Sequence, residues 1–193
     1  MEKLVFATNN AHKLAEIKQI LGNKFDVLSL ADIRFQQEIE EPFETLKENA
    51  FEKARVVHAF CGLNVFADDT GLMVDALNGA PGVYSARFAG GGCSFEDNVN
   101  KLLLELSDAE NRTAKFQTVI ALILNGEEHH FIGEVKGMIT KSASGNEGFG
   151  YDPIFKPDGF KETFAEMDAK TKNSVSHRGR AVQKLVAFLS SKV

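Results

Sequence analysis

Two long strand-like runs, TAKFQTVIALIL at 113–124 and HHFIGEVKGMI at 129–139, flank Asn125-Gly126. This dipeptide is a strong hairpin signal, because both residues accept the positive φ that a type I′ turn demands. The sheet of such a chain must contain an antiparallel pair.

The N-terminal segment asks for something different. Residues 3–8 (KLVFAT) read as a short buried strand, and Asn9 and Asn10 supply turn and helix-capping chemistry. Leu14, Ile17, Ile20 and Leu21 then recur at helical spacing, with Gly22 as the stop. Residues 25–30 (FDVLSL) read as a second strand. Strand, helix, strand is the opening of an α/β domain. Pro42 is placed to open the next helix, with Phe43, Leu46, Ala50, Ala54 and Val57 on one face. Residues 63–68 form the strand that delivers Asp68 and Asp69 at its end, and 72–92 read as a long loop. Ser94 and Asp97 make a capping box before Val99, Leu102, Leu103 and Leu106. A glycine-dense loop spans 144–153, and 178–190 form a last amphipathic helix. The expected fold is one α/β domain over 1–193. It has an elongated mixed β-sheet in two lobes flanked by helices, with the active-site cleft between the lobes.

Composition narrows the class. A chain of 193 residues, 44% hydrophobic, can bury a sizeable core. A net charge of −5 and a pI near 5.6 disfavour a nucleic-acid-binding surface. Cys61 and Cys93 have no metal-type spacing and fit a reducing compartment. No apolar run approaches the roughly 18 residues of a membrane span. A cytoplasmic protein without nucleic-acid or membrane partners is expected.

Four stretches carry chemistry. Thr8-Asn9-Asn10, with Lys13 in the first helical turn, offers backbone N–H groups and a cation suited to phosphate. A plain helix cap with a solvated lysine is the commoner use of such residues. Glu40, Glu41, Asp68 and Asp69 form an acidic group of the kind that holds Mg²⁺. One carboxylate there could take a proton from an attacking water. In the loop GFGYDP, Phe149 and Tyr151 offer flat faces and Asp152 a polar edge reader. Finally, Lys172, His177, Arg178 and Arg180 crowd cationic groups before a helix, a placement that an anionic ligand would explain.

A nucleoside triphosphate with Mg²⁺ needs all four kinds of group. The motifs TNNxxK (8–13), EExxxTxxENAxxKA (40–54), ADDTGLxVDALxGxPGVYSARFAG (67–90), GFGYDPIF (148–155) and KNSVSHRGRA (172–181) resemble those of the inosine triphosphate pyrophosphatase family. The resemblance runs from residue 4 to about 188. It implies Mg²⁺-dependent hydrolysis of dITP, ITP and XTP to the monophosphate and pyrophosphate, in a homodimer. By the same resemblance, Thr8, Asn9, Asn10 and Lys13 match the phosphate loop. Asp69 matches the general base and metal ligand, and Glu40 the second metal position, with Glu38 and Glu41 as alternatives. Asp68 matches an accessory acid, Lys53 a phosphate-side lysine, and Thr70 a substrate contact usually filled by Ser. Phe149, Gly150, Tyr151 and Asp152 match the base-proximal loop, and Lys172, His177 and Arg178 the substrate-binding basic set. Donors such as His177 or Arg178 would select a 6-keto purine over adenine.

Overall fold

The structure, a computed structural model, describes residues 3–21 and 25–192. The expected helix stop at Gly22 lies outside these residues. Among the described residues seven strands form one mixed sheet: β1 (Lys3–Phe6), β2 (Asp26–Leu28), β3 (Val65–Val74), β4 (Pro81–Gly82), β5 (Thr113–Leu124), β6 (Glu127–Ile139) and β7 (Phe155–Pro157). Their order is β2-β1-β3-β5-β6-β7, with β4 on β3. β1 pairs in parallel with β2 and β3, while β3–β4 and β6–β7 are antiparallel. The α-helices are α1 (Ala11–Leu21), α2 (Leu46–Cys61), α3 (Phe95–Glu105), α4 (Ala169–Val175) and α5 (His177–Ser190). Asn125 and Gly126 take φ values of +52° and +84°, the positive pair that the hairpin turn requires.

The chain forms two compact units. The first comprises Met1–Asp69, Thr118–Gly133 and Arg178–Val193, and the second Thr70–Gln117 and Glu134–His177.

In the first unit the sheet is buried on both faces, and successive strand residues divide between two cores. Leu4, Phe6, Phe66, Ile120 and Leu122 pack with Ile17 and Leu21 of α1 and with Ala181, Val182, Leu185 and Leu189 of α5. Val5, Ala7, Val65, Ala67, Ala121 and Ile123 pack with Ala50, Phe51, Ala54 and Val57 of α2. Each fully buried Phe or Leu contributes about 1.5–3 kcal/mol. Phe6 and Phe66 are register partners, with ring centroids 4.5 Å apart. That register sets the turn after β1 beside Asp68.

In the second unit Leu72, Val74, Val99, Leu102, Leu106, Phe116, Ile139, Phe155 and Phe164 form a single core. Ser94 accepts from Asp97 N–H and Asp97 accepts from Ser94 N–H, the expected capping box of α3.

Two boundaries differ from expectation for local reasons. Helix α2 starts at Leu46, not at Pro42, because Thr45 caps it by accepting from Glu48 N–H. Phe43 is therefore outside the helix and exposed, and the Asn49 amide ties its N–H and C=O. Strand β3 continues to Val74, so the Asp pair stands inside a ten-residue strand and not at its end.

Candidate active site

The alternation along β3 decides where its two carboxylates go. Asp68 shares the face of Phe66, toward α1 and α5. It accepts from Lys13 Nζ at 3.0 Å and from Arg178 Nε at 3.2 Å. Arg178 Nη1 in turn donates to Glu16 on α1. Asp69 shares the face of Ala67, toward α2, and lies 3.5 Å from Lys53 Nζ, which also pairs with Glu41.

Electrostatics separates the pair. The Asp68 side chain is fully buried, which opposes its charge. Lys13, Arg178 and Lys53 outweigh that and hold its carboxyl well below the usual carboxylate range. Burial pushes the Asp69 carboxyl up; Lys53 and Lys13 oppose this, while Glu41 and Asp68 add to it. Burial likewise lowers Lys13, with Asp68 as the main opposing charge. For Lys53 burial works against the charge, but Asp69, Glu41 and Asp68 together raise its pKa. Asp68 is thus a permanent anion in a cationic cage, and Asp69 a carboxylate of raised basicity.

Of the three glutamates that the sequence left open, Glu41 is the one whose carboxylate joins this set, through Lys53. Glu38 and Glu40 are exposed. Glu41 precedes Pro42, which restricts it to extended backbone, where neighbouring side chains face opposite ways. Asp69 and Glu41 are hard oxygen donors whose mutual repulsion a divalent cation would relieve. Among the described residues no three acidic, His or Cys side chains form a closed metal cage. Mg²⁺ needs none, since it takes one or two carboxylates together with water and phosphate oxygens.

The turn after β1 caps α1. Asn10 Oδ1 accepts from His12 N–H at 3.0 Å and Lys13 N–H at 3.1 Å, and Thr8 Oγ1 accepts from Asn10 N–H. Asn9 is exposed. Thr70, half-buried, is the next residue of β3.

The second unit gathers the aromatic loop and Lys172. Asp152 Oδ2 accepts from Lys172 Nζ at 2.7 Å and from Phe149 N–H at 2.8 Å. The Lys172 ammonium also lies 5.2 Å from the Phe149 ring centroid. Lys172 is not at a helix entry, as expected, but in the last turn of α4, where the helix dipole favours a cation. Arg180, on α5, is exposed. Tyr151 presents no open face: its ring is buried in the core, and its hydroxyl donates to Ser85 C=O at 2.9 Å. Gly150 has φ +64° and open space around it. Gly148 is the tighter position, with φ +77° and room for no Cβ, which would stand 2.2 Å from Asp152 Oδ2. His177, the first residue of α5, is buried against Phe116.

Sequence reasoning missed Glu16. Glu16 follows Lys13 at i+3 on one helix face, a spacing that could have flagged it.

A sequence model of the Ham1 family matches residues 4–188. A "dITP/XTP pyrophosphatase" of Flavobacterium johnsoniae is 51% identical over 189 residues, covering 98% of both chains. One of the same name from Porphyromonas gingivalis is 50% identical over 190 residues, again 98% of both. Among solved structures, the Staphylococcus aureus Ham1 protein superposes with a TM-score of 0.90 at 37% identity, covering all of both chains. A HAM1 protein from Coxiella burnetii gives 0.91 at 38% identity, covering 99% of this chain and 100% of that one. An α/β fold on a mixed sheet with a carboxylate–lysine site defines the class, and the chain belongs to the Ham1 family.

Proposed function

We propose that this protein hydrolyses dITP, ITP and XTP to the nucleoside monophosphate and pyrophosphate, removing them from the pool used for DNA and RNA synthesis. The observation that carries this reading is the split of the Asp pair across β3. One carboxylate is locked in a cationic cage and the other is raised in basicity beside a lysine. Relatives of about half-identical sequence that carry the name dITP/XTP pyrophosphatase support it.

Asp69 accepts the proton of the attacking water, and its raised pKa brings it nearer the range of an effective general base. Lys13 and Lys53 hold the phosphate chain. Asp68 keeps Lys13 and Arg178 in place. Phe149 gives the base a flat face, while Lys172 and Asp152 frame the loop. His177 offers a ring N–H to a 6-keto oxygen. Adenine would leave that donor facing an amino group, at a cost of roughly 1–3 kcal/mol. Mg²⁺ is the cofactor that suits Asp69 and Glu41; when bound, it supplies neutralisation of the phosphate charge.

The protein acts in the cytoplasm as a homodimer, which sedimentation at micromolar concentration tests. No helix among the described residues is long and apolar enough to cross a membrane. The activity is tested with a panel of dITP, XTP, dATP, dGTP and dUTP, with Mg²⁺ and with EDTA. Pyrophosphate from dITP and XTP, abolished by EDTA, is expected. Equal rates on dATP, or orthophosphate as first product, would overturn the reading.

A further inference from the structure

We propose that Phe116 is a positioning residue that sets the plane of the His177 imidazole. The proposal rests on the reading above in one respect only, that His177 contacts the base.

His177 is 4% exposed. Its surroundings in the second unit are aromatic. The Phe116 ring lies parallel to it, with centroids 4.5 Å apart and planes at 17°. Phe164 flanks it at 6.1 Å and 44°. Phe116 is itself held by the edge of Phe155, at 4.7 Å and 63°, and by Phe164 at 6.3 Å. Phe155 and Phe164 are 5.2 Å apart, so three phenyl rings brace one another behind the imidazole.

The geometry has a consequence for hydrogen bonding. The ring nitrogens of His lie in the ring plane, so whatever fixes that plane fixes where their N–H or lone pair is offered. The torsion about the bond from Cβ to the ring is intrinsically broad for His. A parallel ring at 4.5 Å closes that torsion, because a turning imidazole would sweep into Phe116. Leucine would fill similar space but present no flat wall. A donor misplaced by about 1 Å or 10–20° loses much of its value in a binding site.

The test uses the full chain and four variants: Phe116→Leu, Phe116→Tyr, His177→Asn, and Phe116→Leu combined with His177→Asn. In the wild type the His177 Cε1–H resonance, assigned by its loss in His177→Asn, should lie upfield under the ring current of Phe116. Phe116→Leu should return it toward the ordinary position, and Phe116→Tyr should not. With dITP, Phe116→Leu should raise KM roughly tenfold with kcat changed less than about threefold. Phe116→Tyr should restore KM, and the double variant should be no worse than His177→Asn alone. Additive losses in the double variant, or an unshifted wild-type resonance, would overturn the proposal. If Phe116→Leu does not fold, the wild-type and Phe116→Tyr resonances still decide it. A protein inactive on dITP whose His177 resonance follows residue 116 would count against the activity and support the positioning.

Discussion

Asp68 and Asp69 are neighbours in the chain and stand on opposite faces of β3, one against Lys13 and Arg178, the other against Lys53. The strand therefore turns the two carboxylates toward different nearest cations, although Asp68 still pushes the Asp69 carboxyl up. Asp68 is held ionised by its cations, whereas burial leaves Asp69 the more basic of the two.

Asp68→Asn should destabilise the fold. It leaves the buried Arg178 guanidinium and the Lys13 ammonium without their shared counter-charge. Removing one partner of a buried ion pair costs on the order of 3–5 kcal/mol. Urea denaturation should show a lower midpoint with an unchanged slope.

Glu41→Gln and Glu40→Gln should part company. Glu41 shares Lys53 with Asp69, whereas Glu40 is exposed. In Mg²⁺ titrations of dITP turnover, Glu41→Gln should need several-fold more metal for half-maximal rate. Glu40→Gln should titrate as the wild type does. The reverse order would assign the metal role to Glu40.

Gly148→Ala should be far worse than Gly150→Ala. Both glycines have positive φ, a backbone conformation that costs an alanine roughly 1–2 kcal/mol. Only at 148 would the new Cβ also collide with the Asp152 carboxylate and crowd Lys172 Nζ at 3.1 Å. Gly148→Ala should therefore raise KM for dITP beyond its effect on melting temperature, and Gly150→Ala should show the stability loss alone.

Much of this was legible in the sequence, for physical reasons. Asn125-Gly126 announced the hairpin because few dipeptides tolerate its two positive φ angles. The Ser94–Asp97 cap and the apolar faces of α2 and α5 follow from local spacing alone. The end of β3 was misjudged because 72–92, rich in Gly, Ala and Asn, read as loop, while pairing with β4 keeps the chain extended to Val74. Period-two alternation implies that Asp68 and Asp69 diverge. Which helix each would meet depends on the winding of α1, α2 and α5 about the sheet. Glu16 and Arg178 are 162 residues apart, and nothing local links them. The stacking of Phe116 on His177 is likewise a product of tertiary packing.

The most direct test of this division of labour is Asp69→Asn, assayed for dITP turnover at saturating Mg²⁺, with dITP affinity measured by calorimetry. The account predicts a folded protein that binds dITP nearly as the wild type does and turns over at least about 10²-fold more slowly. Turnover within a few-fold of the wild type would contradict it.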